Sequence, residues 1–160
     1  MIQTTALNLR LTTLRSAAFI AANVALPHLF HLIPGGGVMF LPIYWFTLVG
    51  VMRYGLPTGL AAAVMSPLVG YLLFDAPASF MLPDMLLKGA LLCLTAHMTT
   101  ARIGMNFGAA ASAVIMAWGA ATLLEWPLMG MTYATQDFTG GMPGLILMSI
   151  AAPSIARHIK

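Results

Sequence analysis

The chain has 160 residues, of which 60% are hydrophobic and only 7% are charged. With a mean hydropathy of +0.91, it has too little polar surface to be a soluble globule, so it is an integral membrane protein. Its net charge of +3 comes from single basic residues at the ends of apolar runs. Because they form no patch, they do not indicate nucleic-acid binding.

Six apolar runs cover most of the chain, and each predicts a membrane-spanning helix. The runs are 16–33, 38–52, 56–74, 80–101, 103–124 and 141–156. A helix needs about 20 apolar residues to cross the hydrocarbon layer, so six spans leave no extramembrane domain. We therefore predict an all-α membrane protein, in which residues 1–160 form one compact bundle of six transmembrane helices.

Charged residues outside the runs predict the orientation of these spans. An even number of spans puts both termini on one side of the membrane. The basic residues that then share this side are Arg10, Arg15, Arg53, Arg102, Arg157 and Lys160. The opposite connections carry Asp75 and Asp137 and no basic residue. Because basic residues concentrate in cytoplasmic connections, we predict that both termini are cytoplasmic.

The first run has a ladder of small residues, which gives the helix a nearly flat face. Its members are Ala17, Ala21 and Ala25, with Ala18 and Ala22 alongside. The fifth run has a similar ladder at Ala109, Ala113, Ala117 and Ala121. Such faces let another helix approach closely, either within the bundle or from a partner protein, and the pattern does not distinguish the two.

Proline and glycine interrupt the runs at several places. The segment 31–37 contains Pro34 followed by three glycines, which predicts irregular backbone and a loop that contacts a ligand or closes over it. Pro42, Pro67 and Pro153 predict kinked or incomplete helices around some internal space. Pro57 predicts the start of the third helix, where the missing N–H has no cost.

Polar residues are expensive at membrane depth and therefore indicate pairing or function. Most of them fall in the half of the bundle opposite the basic ends, which predicts a cavity that opens outward. These residues are His28, His31, Tyr71, Asp84, Lys88, Glu125, Trp126, Gln136 and Asp137. Asn23 lies in the middle of the first run, and its amide is expected to bridge helices.

Asp84 and Lys88 are four residues apart, which favours either a structural ion pair or a ligand site. Glu125 has no acid–base partner nearby in the sequence, and Trp126 beside it offers a stacking surface or belongs to the aromatic belt at the headgroups. Together these four side chains suit a small flat heterocycle with an amine or ring nitrogen.

Several chemistries lack a supporting motif. His28 and His31 are a weak metal signal without a nearby cysteine or carboxylate, and the single Cys93 excludes a cysteine-based metal site. No hydrolase motif and no nucleotide-binding loop is present, so we predict no catalytic residue, no metal and no cofactor.

The order of these features resembles a known family, the substrate-binding S components of energy-coupling-factor (ECF) vitamin transporters. The similarity lies in the six short helices, the alanine ladder after a basic start, the Pro/Gly-rich outer loop, and the stretches LPIY at 41–44 and RYGLPTGL at 53–60. It covers nearly the whole chain. It implies capture of a vitamin or its precursor at the outer face of a prokaryotic cytoplasmic membrane, without catalysis by this chain.

The resemblance also implies partners and positions. A transmembrane coupling subunit would dock on the first helix at Ala17, Ala18, Ala21, Ala22 and Ala25, and two ATPase subunits would supply the energy. Substrate contacts would come from the outer loop and the outer helix ends. We therefore assign the substrate site to His31, Gly35, Gly36, Gly37, Tyr71, Asp84, Lys88, Glu125, Trp126, Gln136 and Asp137.

A structural scaffold subunit of a cell-envelope complex, with no small-molecule ligand, is the alternative function. The grouping of polar residues at one end favours a binding protein, because a scaffold has no need to place Asp84, Lys88, Glu125 and Gln136 together. An intramembrane enzyme is the third class.

Overall fold

Helices make up nearly the whole of the computed structural model, which describes residues 2–159, with side chains from residue 9 onward. The α-helices are α1 (Ile2–Phe30), α2 (Gly36–Phe40), α3 (Trp45–Tyr54), α4 (Leu56–Phe74), α5 (Leu82–Ile103), α6 (Phe107–Met129) and α7 (Met131–His158). Short 3-10 turns at Pro42–Tyr44 and Ser79–Met81 precede α3 and α5. No strand occurs within 2–159, so the all-α prediction is confirmed for these residues.

Within residues 2–159, five segments are long and apolar enough to cross a membrane. They are Gly36–Tyr54, Leu56–Phe74, Ser79–Ile103, Phe107–Met129 and Met131–His158. The chain is therefore a multi-pass membrane protein. The first predicted run, 16–33, lies mostly in α1, and α1 is not among these five segments. Asn23, Pro27 and His28 lower the hydropathy of this run. A six-span topology therefore requires that α1 also crosses the membrane.

Prolines act differently in the different helices. At Pro42 the second predicted span is broken into α2, a 3-10 turn and α3, and Leu41 before it has a left-handed backbone with φ 49°. Pro57 lies in the first turn of α4, as predicted. By contrast, α4 and α7 continue through Pro67 and Pro153, so of the two predicted alternatives, kinked or incomplete helices, the incomplete helix does not occur there.

The last predicted span, 141–156, was too short, because α7 begins at Met131 and has 28 residues. Only Gly130, with φ 91°, separates α6 from α7. The predicted outer connection 125–140 is therefore almost entirely helical, with Gln136 and Asp137 inside α7. Their polar side chains end the apolar run without ending the helix, because hydropathy reports polarity and not backbone conformation.

Asn23 of α1 joins three helices, as predicted. Its buried amide donates to Thr47 Oγ1 at 2.9 Å and to Ser66 Oγ at 3.3 Å, in α3 and α4. Its Oδ1 accepts from the N–H of Phe46 at 3.0 Å. That N–H lies in the first turn of α3, where no intrahelical acceptor exists. Asn23 thus caps α3 from a different helix and satisfies its own polar atoms in the core.

The two alanine ladders have different environments. Ala109, Ala113, Ala117 and Ala121 of α6 are fully buried, between the neighbouring helices α5 and α7. Ala17, Ala21 and Ala25 of α1 are exposed. The α6 ladder therefore serves packing within the bundle, whereas the α1 ladder has no partner among the described residues.

Charged residues separate to the two ends of the bundle. Arg53 Nε, at the end of α3, donates to the Ile159 carbonyl at 3.0 Å, and Arg157 Nη2 donates to the Met105 carbonyl at 2.8 Å. These bonds hold the end of α7 against the α3 end and the turn between α5 and α6. The four acidic residues lie toward the opposite end, where α4 and α6 end and α5 and α7 begin.

Candidate functional site

Four charged residues from three helices converge near the acidic end of the bundle. Lys88 Nζ of α5 lies 2.6 Å from Asp84 Oδ2, 2.8 Å from Glu125 Oε1 of α6 and 3.0 Å from Asp137 Oδ2 of α7. We call these four residues the Lys88 cluster. Glu125 thus has an acid–base partner, but one that is distant in sequence.

Local structure explains why these side chains meet. Asp84 lies in the first turn of α5, and Lys88 follows one turn later on the same face. Glu125 lies one turn before α6 ends, and Asp137 lies within the first two turns of α7. Because Gly130 alone reverses the chain between α6 and α7, both carboxylates return to the same level as Lys88.

The Lys88 cluster is buried and short of positive charge. The exposed fractions of the side chains are 3% for Lys88 and Glu125, 7% for Asp84 and 19% for Asp137. With every group ionised, one ammonium faces three carboxylates, which leaves two negative charges uncompensated in a poorly hydrated place. Uncompensated buried charge is costly, so this arrangement favours binding of a further cation or proton.

Hydrogen bonding in the cluster is also incomplete. Lys88 is aligned to donate only to Asp84. Its contacts with Glu125 and Asp137 have ion-pair distances without hydrogen-bond alignment, so we treat them as electrostatic attraction only. Both Glu125 oxygens, Asp84 Oδ1 and Asp137 Oδ2 therefore lack a hydrogen-bond donor among the described residues. These acceptors can take the donors of a bound molecule.

Two aromatic residues lie beside the Lys88 cluster. The Tyr44 hydroxyl donates to the carbonyl of Met85, next to Asp84, at 3.2 Å. The Tyr44 ring meets Trp118 edge to face, with centroids 5.2 Å apart. Both rings are buried, and Trp118 Nε1 has no hydrogen-bond partner among the described residues. Tyr44 was not among the predicted site residues, although the LPIY stretch contains it.

A cavity of about 440 Å³ lies between α1, α2, α4 and the start of α5. Its polar lining comes from His28, His31 and Ser66, and Gly37 and Met85 are among the other residues around it. This volume falls in the range of small-molecule pockets. Met85 connects this cavity with the Lys88 cluster, since it lines the cavity and its carbonyl accepts the hydrogen bond from Tyr44 beside the cluster.

The predicted site residues thus separate into groups. Asp84, Lys88, Glu125 and Asp137 come together, whereas His31 and Gly37 line the cavity. Irregular backbone covers 31–35 only, because Gly36 and Gly37 begin α2. Gly35 has a left-handed backbone with φ 73°, and Gly36 packs against the Phe30 carbonyl.

Three other predicted residues lie apart from the Lys88 cluster. Trp126 is 53% exposed although Glu125 beside it is buried. This outward position fits the aromatic belt and not a stacking surface over Glu125. Gln136 is also exposed, and Tyr71 is half-buried. None of the described contacts joins these three residues to the Lys88 cluster.

The exposed alanine ladder of α1 lines an open apolar groove of about 630 Å³ against α4. Ala17, Ala21 and Ala25 form one wall, and Val69 and Leu73 form the other. Ala18 is exposed and Ala22 is half-buried. The groove can accept a further helix, because its small side chains permit close backbone approach.

Comparisons with other proteins found no match to a family model, a curated protein or a solved structure. Among residues 9–159, whose side chains are described, no three His, Cys, Asp or Glu side chains are grouped so that they could hold a metal ion. The geometry alone shows a multi-pass helical membrane protein with a largely buried, acid-rich cluster.

Proposed function

We propose that this protein is the substrate-binding S component of an ECF-type vitamin transporter. It captures a vitamin or vitamin precursor at the outer face of a prokaryotic cytoplasmic membrane. Uptake requires a transmembrane coupling subunit and two ATPase subunits. In this proposal α1 is the first of six spans and both termini are cytoplasmic, so the Lys88 cluster lies toward the outside.

The Lys88 cluster is the observation that carries the proposal. Three carboxylates, of which Asp84 and Glu125 are buried and Asp137 is half-buried, share one ammonium and leave several acceptor atoms unused. Such an arrangement is unfavourable for an empty structural core. A ligand that brings positive charge and N–H donors would improve both the charge balance and the hydrogen bonding. A cell-envelope scaffold has no use for such a cluster.

This chemistry favours a small molecule with a cationic or ring nitrogen. Its donors would bind the free oxygens of Glu125 and Asp84, and a flat ring would pack beside Tyr44 and Trp118. A thiamin or thiamin-precursor type of ligand meets these requirements. The cavity beside Met85 supplies space for the remainder of the molecule or for its entry.

The groove along α1 supports the second half of the proposal. Ala17, Ala21 and Ala25 are exposed and apolar, and no described residue covers them. Docking of a coupling subunit there would bury this face through close helix packing. Ligand capture and docking would then use separate surfaces of one bundle.

Ligand identification is the experiment that tests the proposal. Protein purified in detergent is denatured, and the released small molecules are identified by mass spectrometry. Binding of the identified compound is then measured for the wild type and for Glu125→Gln. A charge-assisted hydrogen bond contributes about 1.5–3 kcal/mol, so we expect affinity to fall about tenfold to a hundredfold.

Asp75→Asn is the matched control, because it makes the same carboxyl-to-amide change at the same end. Asp75 is exposed and outside the Lys88 cluster, and asparagine tolerates its left-handed backbone, with φ 51°. Its affinity should equal that of the wild type. Unchanged affinity in Glu125→Gln would remove the cluster from the site, and the absence of any bound molecule would favour the scaffold function.

A further inference from the structure

Two arginines at the basic end of the bundle lie against one aromatic ring. Arg15 Cζ of α1 is 4.2 Å from the centroid of Tyr54, and Arg53 Cζ of α3 is 5.7 Å from the same centroid. Each distance is within the range of a cation–π interaction. The ring therefore holds two guanidinium groups from different helices at one place on the surface.

Packing fixes this arrangement in position. The Tyr54 ring packs against buried Phe19, with centroids 5.9 Å apart, and Phe19 also packs against Phe46. Arg53 Nε is held by its hydrogen bond to the Ile159 carbonyl. A preorganised pair of guanidinium groups loses less conformational entropy when it binds a ligand than a pair of free side chains does.

The two arginines have no carboxylate partner among the described residues. The whole sequence contains only four acidic residues, and Asp84, Glu125 and Asp137 are paired with Lys88. The fourth, Asp75, ends α4 at the other end of the bundle. Two like charges held near each other repel, so an anion bound between them would stabilise this end.

Tyr54 is the last residue of the span Gly36–Tyr54, and this position selects the anion. The end of a span lies at the level of the lipid headgroups, where phosphate groups are abundant. Guanidinium groups bind phosphate with paired hydrogen bonds. We infer that Arg15 and Arg53, held against Tyr54, form a binding site for the phosphate group of an anionic membrane lipid.

The test is native mass spectrometry of the full chain in detergent, titrated with phosphatidylglycerol or phosphatidylcholine. The wild type should bind phosphatidylglycerol in preference to phosphatidylcholine. Arg15→Gln/Arg53→Gln should weaken phosphatidylglycerol binding about thirtyfold, because two arginine contacts with an anionic headgroup are lost. Arg15→Lys/Arg53→Lys keeps the charge but loses the paired geometry, so an intermediate loss is expected.

Arg10→Gln/Arg102→Gln is the matched control, because it removes two exposed arginines from the same end. It should change phosphatidylglycerol binding less than about twofold. An equal loss in this control would show diffuse surface attraction and overturn the site, as would equal binding of the two lipids by the wild type. Inorganic phosphate is also added as a competitor. If it displaces phosphatidylglycerol at the concentration at which the lipid itself binds, the site takes soluble phosphates and the lipid assignment is overturned.

Discussion

Lys88 faces three carboxylates, and this ratio determines how single residues of the candidate site respond to substitution. A paired buried charge becomes an unpaired one when its partner is removed. The ammonium is the shared partner of Asp84, Glu125 and Asp137. Loss of the cation therefore affects three helices at once, whereas loss of one carboxylate reduces an existing excess of negative charge.

Lys88→Met should lower stability by about 3–5 kcal/mol, because it leaves two buried carboxylates and one half-buried carboxylate without a cation. Thermal unfolding of the detergent-solubilised protein measures the effect. Glu125→Gln, in the same assay, should unfold at the same temperature as the wild type or higher. A wild-type melting temperature for Lys88→Met would contradict the ionised cluster, and a low one for Glu125→Gln would contradict the charge excess.

Helices α7 and α2 approach each other closely at Gly144. A Cβ atom on Gly144 of α7 would lie 2.5 Å from both the carbonyl carbon and the oxygen of Phe40. These are backbone atoms, which cannot move away as a flexible side chain can. The absence of a side chain at this position therefore permits the broken α2 segment to pack on α7.

Gly144→Ala should destabilise the protein by about 1–3 kcal/mol, since α2 must shift away from α7. Gly140→Ala is the matched control one turn earlier in α7, where a Cβ would meet nothing within 4 Å. Alanine favours helix over glycine, so the control should be neutral or more stable by up to about 1 kcal/mol. Equal melting temperatures for the two variants would argue against the close approach.

The alanine ladders allow a second comparison between elements. Ala21→Trp on the exposed α1 ladder should fold and bind ligand normally, because no described residue covers that face. If a coupling subunit docks there, uptake and copurification with that subunit should be lost. Ala113→Trp on the buried α6 ladder should instead disrupt folding and ligand binding together. Joint loss of folding and binding in Ala21→Trp would refute the docking assignment.

The whole molecule has basic residues at one end and acidic residues at the other, and this asymmetry predicts its orientation in the membrane. Cysteine in place of exposed Ala78, in the connection between α4 and α5, should react with an impermeant maleimide in intact cells. Cysteine in place of exposed His158, at the end of α7, should react only after permeabilisation. The native Cys93 is buried, so the wild type supplies the unlabelled background.

Labelling at 158 in intact cells would invert the proposed orientation. Labelling at both positions would require an even number of spans between them, instead of the three that α5, α6 and α7 provide.

The part of the candidate site that could be predicted is the part that short sequence spacing controls. The pairing of Asp84 with Lys88 follows from their separation by one helical turn, and mid-span Asn23 needed partners because an amide is costly in an apolar core. The contacts of Lys88 with Glu125 and Asp137 depend on how α5, α6 and α7 rotate against one another. No local pattern contains that rotation.

The sequence by itself determined the membrane class, the helical content and the separation of charges, because apolar length and charge position act locally on the solvent that each residue prefers. Only the tertiary structure decided that α7 begins at Met131, that Trp126 faces outward, and which alanine ladder is buried. These properties depend on which face of one helix meets which face of another. Polar Gln136 and Asp137 lowered the local hydropathy, although one of them pairs with Lys88 inside the bundle.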